Sequence, residues 1–209
     1  DLTALDISRV ITGSEGSLVF VAEAKVKITP IATFKALVNV KYNSFESALR
    51  HAPSMVAANA TSVETVDSNV LNMARQDIIW HSVASLITEV EGKSVLGLNM
   101  VEYNSNDQAD IEQKIATLSA NLDSAENLGV IGYQITYDKA DIQKIYAMRK
   151  KSVGLLGKIK GAKKPIAFVE DTAVPPENLA DFIMEFRALL DGHGLQYGMF
   201  GHVDAGVLH

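Results

Sequence analysis

The sequence has no cysteine, which excludes disulfide bonds, thiolate metal sites and cysteine nucleophiles. No apolar run approaches the roughly 18 residues that a membrane-spanning helix needs, so we expect no spanning segment. Lys and Arg number 19 against 25 Asp and Glu, and the net charge of −6 argues against a surface that binds nucleic acid non-specifically. The first ten residues, DLTALDISRV, lack the apolar block of a secretory signal.

The chain contains enough apolar residues to form a packed core. Hydrophobic residues make up 47% and charged residues 21%, which is ordinary for a globular protein. At 209 residues the chain can form one large domain, or one domain with part of another. It starts without methionine and stops abruptly at His209, so we expect it to be a piece of a longer protein.

Strand and helix patterns follow one another along the chain. The stretch 18–28 (LVFVAEAKVKI) alternates apolar and polar residues, which predicts a half-buried strand that Pro30 ends. Ser44 suits the N-cap of a helix that follows it. Further strands are predicted at 34–42, 61–66, 94–103, 129–137, 165–170 and 195–200, and further helices over 68–90, 107–122, 139–158 and 175–190.

These patterns predict a fold class. Strand–helix–strand units recur around 34–66 and 94–137, with a partial third unit at 165–200. Alternating strands favour an antiparallel sheet, because the strands of a parallel sheet are apolar throughout. We therefore predict an α+β fold with an antiparallel sheet, helices packed on one face, and a ferredoxin-like split βαβ arrangement that is duplicated. The predicted domain boundary lies near Pro30.

A glycine-containing segment, Gly13-Ser14-Glu15-Gly16-Ser17, comes directly before the first predicted strand. Glycines at such a junction allow a sharp turn, and exposed backbone amides there suit phosphate. The segment fits neither the Walker pattern nor the dinucleotide-binding pattern. On the residues alone, a plain turn is the simpler interpretation and a phosphate contact is the alternative.

Arg149 interrupts the apolar stripe of the predicted helix 139–158, at a position that a core residue would normally occupy. An unpaired guanidinium is costly to bury, so Arg149 should meet an anion. The planar guanidinium pairs with a carboxylate at two points, which suits recognition of an organic acid. The alternative is an internal salt bridge, or a side chain whose charged end reaches solvent at the domain edge, and judged by periodicity alone this alternative is favoured. Nine of the 19 basic residues lie between 139 and 164, either as a solvated helix face or as a side that meets an anion.

Two histidines, His202 and His209, close the chain in the segment GHVDAGVLH. A straight strand would point them to opposite faces, because their separation of seven is odd. A two-residue reversal at Ala205-Gly206 would instead place them directly opposite each other, with Cβ atoms about 5 Å apart. That distance allows both imidazoles to bind one metal ion, although a catalytic zinc usually has a third protein ligand. Two unrelated histidines at the end of the chain remain the alternative.

Three stretches in order resemble one family. ITGSEGSLVFVAEAKVKITP resembles the GSEGTLG segment that closes the flavin-binding domain of FAD-linked oxidases of the vanillyl-alcohol-oxidase type. AFVEDTAVPPENL resembles the ED-x-x-VP segment of their C-terminal substrate (cap) domain, and GHVDAGVLH resembles that domain's GH-x-GDGNLH motif. The likeness spans nearly the whole chain and is strongest to D-lactate and D-2-hydroxyglutarate dehydrogenases.

The resemblance implies that residues 1–30 are the end of an FAD-binding domain and that 31–209 are a substrate-binding cap domain. It implies oxidation of a D-2-hydroxy acid to the 2-oxo acid by hydride transfer to FAD. Gly13–Ser17 would contact FAD, Arg149 would bind the substrate carboxylate, and His202 and His209 would hold a divalent metal, typically zinc. The third metal ligand, a glutamate, and the general base, a histidine, would lie beyond residue 209, so the chain alone should be inactive.

One departure from the family pattern concerns the metal motif, where Asp204-Ala205-Gly206-Val207 replaces Gly-Asp-Gly-Asn. Loss of the Asn removes one polar contact that the resemblance would imply. The expected location is cytoplasmic or peripheral at the inner membrane face. The electron acceptor and a homo-oligomeric state are left open. The alternative function is a stand-alone regulatory module that binds a small organic or amino acid, which the strand–helix repeats and the basic stretch 139–164 would suit.

Overall fold

The computed structural model describes residues 6–124, 128–157, 166, 169 and 172–209. The chain divides into two compact units, Asp1–Ile31 and Ala32–His209. In the first unit, helix α1 (Ile7–Thr12) begins after its N-cap Asp6, whose side chain accepts a hydrogen bond from the Ser8 amide. Turns and extended backbone without regular secondary structure follow.

The strand predicted at 18–28 is wrong, because residues 19–32 form no strand. The apolar side chains of this stretch are exposed, Phe20 at 95% and Ile28 at 83%. A strand is stable only beside another strand that satisfies its backbone amides and carbonyls. Among the described residues, no strand pairs with this stretch. Alternation therefore tells which side chains share a face, but it does not supply the partner strand.

The second unit contains the sheet and the remaining helices. Its described elements in chain order are β1 (Phe34–Tyr42), α2 (Phe45–Ala57), β2 (Ser62–Asp67), α3 (Ser68–Arg75), β3 (Gly97–Ser105), α4 (Gln108–Asp123), β4 (Val130–Thr136), α5 (Lys139–Leu156), β5 (Thr172–Ala173), α6 (Leu179–Gly192), β6 (Phe200–His202) and β7 (Val207–Leu208). Short 3₁₀ turns lie at Ile78–Ser82, Pro176–Asn178 and Val203–Ala205.

The strands form one sheet in the order β4-β1-β3-β2-β6-β7-β5, and each neighbouring pair is antiparallel. The order 4-1-3-2, with α2 and α4 as crossovers, is that of a ferredoxin-like split βαβ unit. The predicted α+β class and antiparallel sheet are confirmed. The short strands β6, β7 and β5 extend the sheet beyond β2, so the described sheet holds one split βαβ unit rather than two.

Helices cover both faces of this sheet, where the sequence predicts helices on one face only. Alternate residues of β1, such as Val38 and Val40, share a core with α2, α4 and α6. Their neighbour Leu37 points the other way and shares a second core with α3 and α5. We call these the α2 face and the α5 face. The second layer of helices forms because α3 and α5 carry apolar stripes of their own, which include Val70, Leu71, Ile142 and Ile145.

The predicted element ends are confirmed at one helix and wrong at others. Ser44 caps α2 as predicted and accepts a 3.0 Å hydrogen bond from the Ser47 amide. The helix predicted over 68–90 ends at Arg75 instead, because the Asp77 side chain accepts from the Ile79 amide at 2.9 Å and starts a new 3₁₀ turn. The strand predicted at 195–200 is wrong except at its last residue, because the observed strand is Phe200–His202 and residues 195–199 form none. The one predicted at 165–170 lies outside the described residues except for 166 and 169.

Of the helices within the described residues, none has both the length and the apolar composition needed to cross a lipid bilayer.

Candidate functional site

The C-terminal hairpin brings the two candidate histidines together through a register that differs from the predicted one. His202 of β6 pairs with Val207 of β7, and Phe200 and His209 exchange backbone hydrogen bonds of 3.2 and 2.8 Å. The predicted direct pairing of His202 with His209 is therefore wrong by two residues. The turn is longer than the predicted two-residue reversal, because a 3₁₀ turn (Val203–Ala205) precedes Gly206.

Gly206 fixes the shape of this turn. Its φ of 70° lies in the left-handed region, where a side chain is strained. A Cβ at this position would also collide with the carbonyl of Val174. The Val174 amide donates a 3.0 Å hydrogen bond to the Gly206 carbonyl, which ties the turn to the neighbouring chain. Glycine is thus required here by both the backbone angle and the close approach.

The two-residue shift still leaves both histidines on one side of the sheet. Side chains alternate along a strand, so Phe200 and His202 share a face, and His209 lies opposite Phe200. The ring centroids of His202 and His209 are 5.5 Å apart with the rings at 89°, and those of Phe200 and His209 are 5.1 Å apart. The two imidazoles therefore meet edge to face.

Glu64 contacts the first of these histidines from the adjacent strand. Glu64 on β2 is the direct cross-strand partner of His202. Its Oε1 lies 2.5 Å from His202 Nδ1, and its side chain is only 13% exposed. This short contact joins a carboxylate to an imidazole. The His202 side chain is 46% exposed, so the contact lies at the solvent-accessible edge of the α5 face.

Arg149 reaches the same carboxylate from α5. Its Nη2 lies 2.5 Å from Glu64 Oε2, at an ion-pair distance but not aligned as a hydrogen bond. The guanidinium carbon lies 5.2 Å from the centroid of the Phe200 ring, within the range of a cation–π contact. Arg149 Nε is buried without a hydrogen-bond partner among the described residues. Arg149 thus has the internal ion pair that the sequence left as one of two interpretations.

The position of Arg149 follows from how α5 packs. The helix begins at Asp138, whose side chain accepts a hydrogen bond from the Asp141 amide. Ile142, Ile145 and Met148 are buried in the second core, so Met148 takes the core position of that turn and Arg149 lies beside it. The predicted stripe passed through position 149, one residue too far along the helix.

A second carboxylate of the sheet, that of Glu102, binds α5 through a hydrogen bond and has no contact with the histidines. Glu102 on β3 accepts hydrogen bonds from Tyr146 of α5 and from Asn104, and pairs with Lys35 at 3.3 Å. Burial alone would raise the pKa of Glu102, but the hydrogen bonds from Tyr146 and Asn104 outweigh it and lower the pKa. Burial, followed by the hydrogen bond to Glu102, raises the pKa of Tyr146. Both groups therefore keep their ordinary charge states at neutral pH.

Glu64 is the site residue that sequence reasoning missed. The alternation of β2 carries a usable signal, because Glu64 shares a face with the buried Val66 and so points toward a helical layer. A carboxylate at such a position needs a partner, in the same way as Arg149. Nothing in the local pattern links the two residues, which are 85 positions apart in the sequence.

The fit of a metal ion can be judged from the side chains present. Imidazole nitrogen and carboxylate oxygen are both zinc ligands. Within the described ranges, however, no group of three or more His, Asp or Glu side chains is arranged to hold a metal ion. The hairpin thus supplies two adjacent imidazoles, and Glu64 occupies Nδ1 of one of them. This is an incomplete donor set.

The segment Gly13–Ser17 belongs to the first unit, Asp1–Ile31. It forms a hydrogen-bonded turn in which the Ser17 amide donates to the Ser14 carbonyl at 2.9 Å. Glu15 and Gly16 have φ values of 50° and 78°. These features are those of the plain turn that the residues alone suggest.

Comparison with known proteins gives one family and several relatives. Residues 31–209 match the family described as FAD linked oxidases, C-terminal domain. The chain is 59% identical over 212 residues to the D-2-hydroxyglutarate dehydrogenase of Escherichia coli strain K12, covering 100% of this chain and 21% of that protein. It is 48% identical over 204 residues to the D-2-hydroxyglutarate dehydrogenase of Pseudomonas putida, covering 98% of this chain and 20% of that protein.

A more distant similarity extends to another oxidase. The glycolate oxidase subunit GlcD of Bacillus subtilis is 22% identical over 211 residues, covering 100% of this chain and 41% of that protein. The chain spans about a fifth of the length of the D-2-hydroxyglutarate dehydrogenases that it matches.

Proposed function

We propose a function from one premise: the chain belongs to the family of C-terminal domains of FAD-linked oxidases. In this proposal, residues 31–209 are the substrate-binding cap domain of a longer enzyme, and residues 1–30 are the end of the FAD-binding domain before it. The division of the chain after Ile31 supports this boundary.

The proposed reaction is the oxidation of D-2-hydroxyglutarate to the 2-oxo acid. The high identity to proteins named D-2-hydroxyglutarate dehydrogenase supports this substrate over D-lactate. FAD, when bound, supplies the acceptor for the hydride that leaves the substrate's α-carbon. Gly13–Ser17 is the part of this chain that we assign to contact with FAD.

One observation carries the proposal: Arg149 and His202 contact a single carboxylate, that of Glu64. Their spacing is therefore one that a carboxylate can bridge. In the proposed enzyme, Arg149 binds the substrate's 1-carboxylate, which would place the adjacent 2-hydroxyl near the histidines. The planar guanidinium suits this role, because it can grip a carboxylate at two points.

His202 and His209 are the proposed holders of a divalent metal ion, zinc. The edge-to-face contact of their rings supports this assignment, and the incomplete donor set requires a further ligand. We assign that ligand, a glutamate, and the general base, a histidine, to the longer protein after residue 209. A zinc ion here would polarise the substrate's hydroxyl and lower its pKa.

The absence of cysteine is compatible with a cytoplasmic protein, or one bound peripherally at the inner membrane face, which is where we propose that the enzyme works.

The test is flavin reduction in the full-length protein. Under anaerobic conditions, D-2-hydroxyglutarate should bleach the flavin absorbance, while the L-enantiomer should not, and D-lactate should act with lower kcat/KM. A full-length protein whose flavin is bleached by none of these acids contradicts the proposal.

The 209-residue chain provides a second check, against the rival of a regulatory module for small acids. We expect this chain to purify without flavin absorbance and to gain little thermal stability from millimolar D-2-hydroxyglutarate or amino acids. A large, saturable rise in Tm with one of these acids, without FAD, would favour the module.

A further inference from the structure

Glu64 contacts two candidate site residues, and neither the sequence patterns nor the similarities assign it a role. Its two oxygens contact different residues: Oε1 lies 2.5 Å from His202 Nδ1 and Oε2 lies 2.5 Å from Arg149 Nη2. One nearly buried carboxylate therefore touches both the candidate metal ligand and the candidate substrate-binding arginine.

The contact with His202 determines which ring nitrogen carries hydrogen. An ionised carboxylate can only accept a hydrogen bond, so His202 Nδ1 must be the donor. In the neutral imidazole the other nitrogen, Nε2, then carries the free lone pair. Metal-binding histidines commonly have this arrangement, in which a carboxylate fixes the tautomer and the orientation of the ring.

The contact with Arg149 constrains the guanidinium at the same time. Arg149 lies between the Glu64 carboxylate and the ring of Phe200, at 5.2 Å from the ring centroid. A long side chain held on two sides loses less conformational freedom when it binds a ligand.

Glu64 itself is held by the sheet. It lies within β2 and is paired with Met100 of β3 on one side and with His202 of β6 on the other. Its side chain is 13% exposed, so it has little freedom to leave its two partners.

We propose that Glu64 is a positioning residue that couples the two halves of the site. It keeps His202 in the Nδ1–H tautomer, with Nε2 free for the metal, and it holds Arg149 for the substrate carboxylate. The part played by metal and substrate rests on the proposed function, whereas the tautomer of His202 does not.

The first experiment measures that tautomer in the 209-residue chain. The chain is labelled with ¹⁵N-histidine and studied by NMR at about pH 8, above the ordinary imidazole pKa of about 6.5. We expect His202, assigned by comparison with His202→Ala, to carry its hydrogen on Nδ1. Wild-type His202 with hydrogen on Nε2 overturns the proposal.

The variant Glu64→Gln extends this measurement. The carboxamide has one accepting oxygen, which the Arg149 cation should claim, and its NH₂ group would then face His202 Nδ1. We expect the tautomer to shift to Nε2–H. The matched control is Glu102→Gln, which removes a carboxylate from the same face beneath α5 but has no contact with His202. Its His202 signals should stay as in the wild type.

The second experiment uses the full-length enzyme. We expect Glu64→Gln to weaken zinc affinity on the order of 10- to 100-fold in chelator competition, and to raise KM for D-2-hydroxyglutarate more than it lowers kcat at saturating zinc. Glu102→Gln should leave zinc affinity and KM unchanged. An unchanged zinc affinity in Glu64→Gln overturns the coupling even where the tautomer shifts. If the full-length wild type fails to oxidise the substrate while the tautomer shift is observed, the proposed function fails and the orientation of His202 by Glu64 stands.

Discussion

Two polar clusters, one on each face of the sheet, differ in charge. The cluster on the α2 face is neutral: the Tyr42 hydroxyl lies 2.9 Å from His51 Nδ1, and Asn99 donates to the Ala48 carbonyl at 2.8 Å. The cluster on the α5 face is charged, with Glu64 and Arg149 in contact near the edge of the hairpin.

The difference in charge between the two clusters leads to different expectations for stability and for the proposed function. The neutral groups of the α2 face satisfy one another inside the core, where an unmade hydrogen bond is expensive. The charges of the α5 face are worth less to stability, because burying an ion pair costs about as much as the pair gains. We therefore expect substitutions in the α2-face cluster to change stability alone. Those at Glu64, Arg149 and the histidines should change activity as well, because removing one partner of the ion pair also leaves the other charge poorly compensated.

The largest expected effect is that of Arg149→Met in the full-length enzyme. Loss of two charge-assisted hydrogen bonds to the substrate carboxylate should lower kcat/KM by about 10²- to 10³-fold. The control Lys151→Met removes an equal charge from the same helix, where Lys151 pairs with Asp77 at 2.7 Å instead. Steady-state kinetics on D-2-hydroxyglutarate compares the two. Equal losses of kcat/KM in both variants would mean that the loss comes from removing a positive charge from the helix, and not from losing recognition of the substrate by Arg149.

The next effect is on stability and belongs to the α2 face. Tyr42→Phe leaves His51 Nδ1 buried without its partner and should reduce the free energy of unfolding by about 1–3 kcal/mol. The control Tyr133→Phe removes an exposed hydroxyl that donates to Asp123 at 3.0 Å, and should change it by less than about 0.5 kcal/mol. Urea unfolding of the 209-residue chain measures both. A loss of zinc affinity in full-length Tyr42→Phe would contradict the expectation that substitutions in the α2-face cluster leave the metal site unchanged.

The smallest expected effect is a pH dependence that arises on the α2 face. Burial lowers the pKa of His51 below its ordinary value of 6.5. The unfolded chain then binds a proton more readily than the folded chain, so the contribution of His51 to stability is full above pH 6.5 and is lost as the pH falls through the folded pKa.

Asp67 changes stability with pH in the opposite direction to His51. The contribution of His51 is therefore measured as the difference between the wild type and a His51 variant. Burial raises the pKa of Asp67 from 3.8 to about 6, and its contribution therefore falls as the pH rises across that range. Unfolding free energies of wild type and His51→Gln should be measured at pH 5 and pH 7.5. We expect the advantage of the wild type to be smaller at pH 5. An advantage that is independent of pH would contradict the assignment.

Much of the sheet can be predicted from the sequence, because local alternation specifies it. Strand 34–42 is predicted with the bounds that the structure gives to β1, and Ser44 caps α2 as its position indicates. The strand at 18–28 fails for a reason that local patterns cannot show, namely the lack of a partner strand within the described residues. The helix over 68–90 fails because the hydrogen bond of Asp77 outweighs helical periodicity.

The site is predictable only in part. Arg149 stands out as a charge on an apolar stripe, and the two histidines stand out by their spacing. Their register depends on the 3₁₀ turn before Gly206, which is set by contact with Val174 and not by the turn residues alone. The alternation of β2 marks Glu64 as facing a helical layer, but its link to His202 follows only from the sheet order, which places β2 beside β6.

Metal content and turnover of full-length His202→Ala, beside His193→Ala as the control, show whether the C-terminal hairpin holds the metal of the proposed enzyme. His193 follows α6 and is exposed, so its loss should leave both properties unchanged. We expect His202→Ala to lose bound zinc and oxidation of D-2-hydroxyglutarate together. A His202→Ala enzyme that keeps its turnover would contradict the assignment of His202 to the metal site.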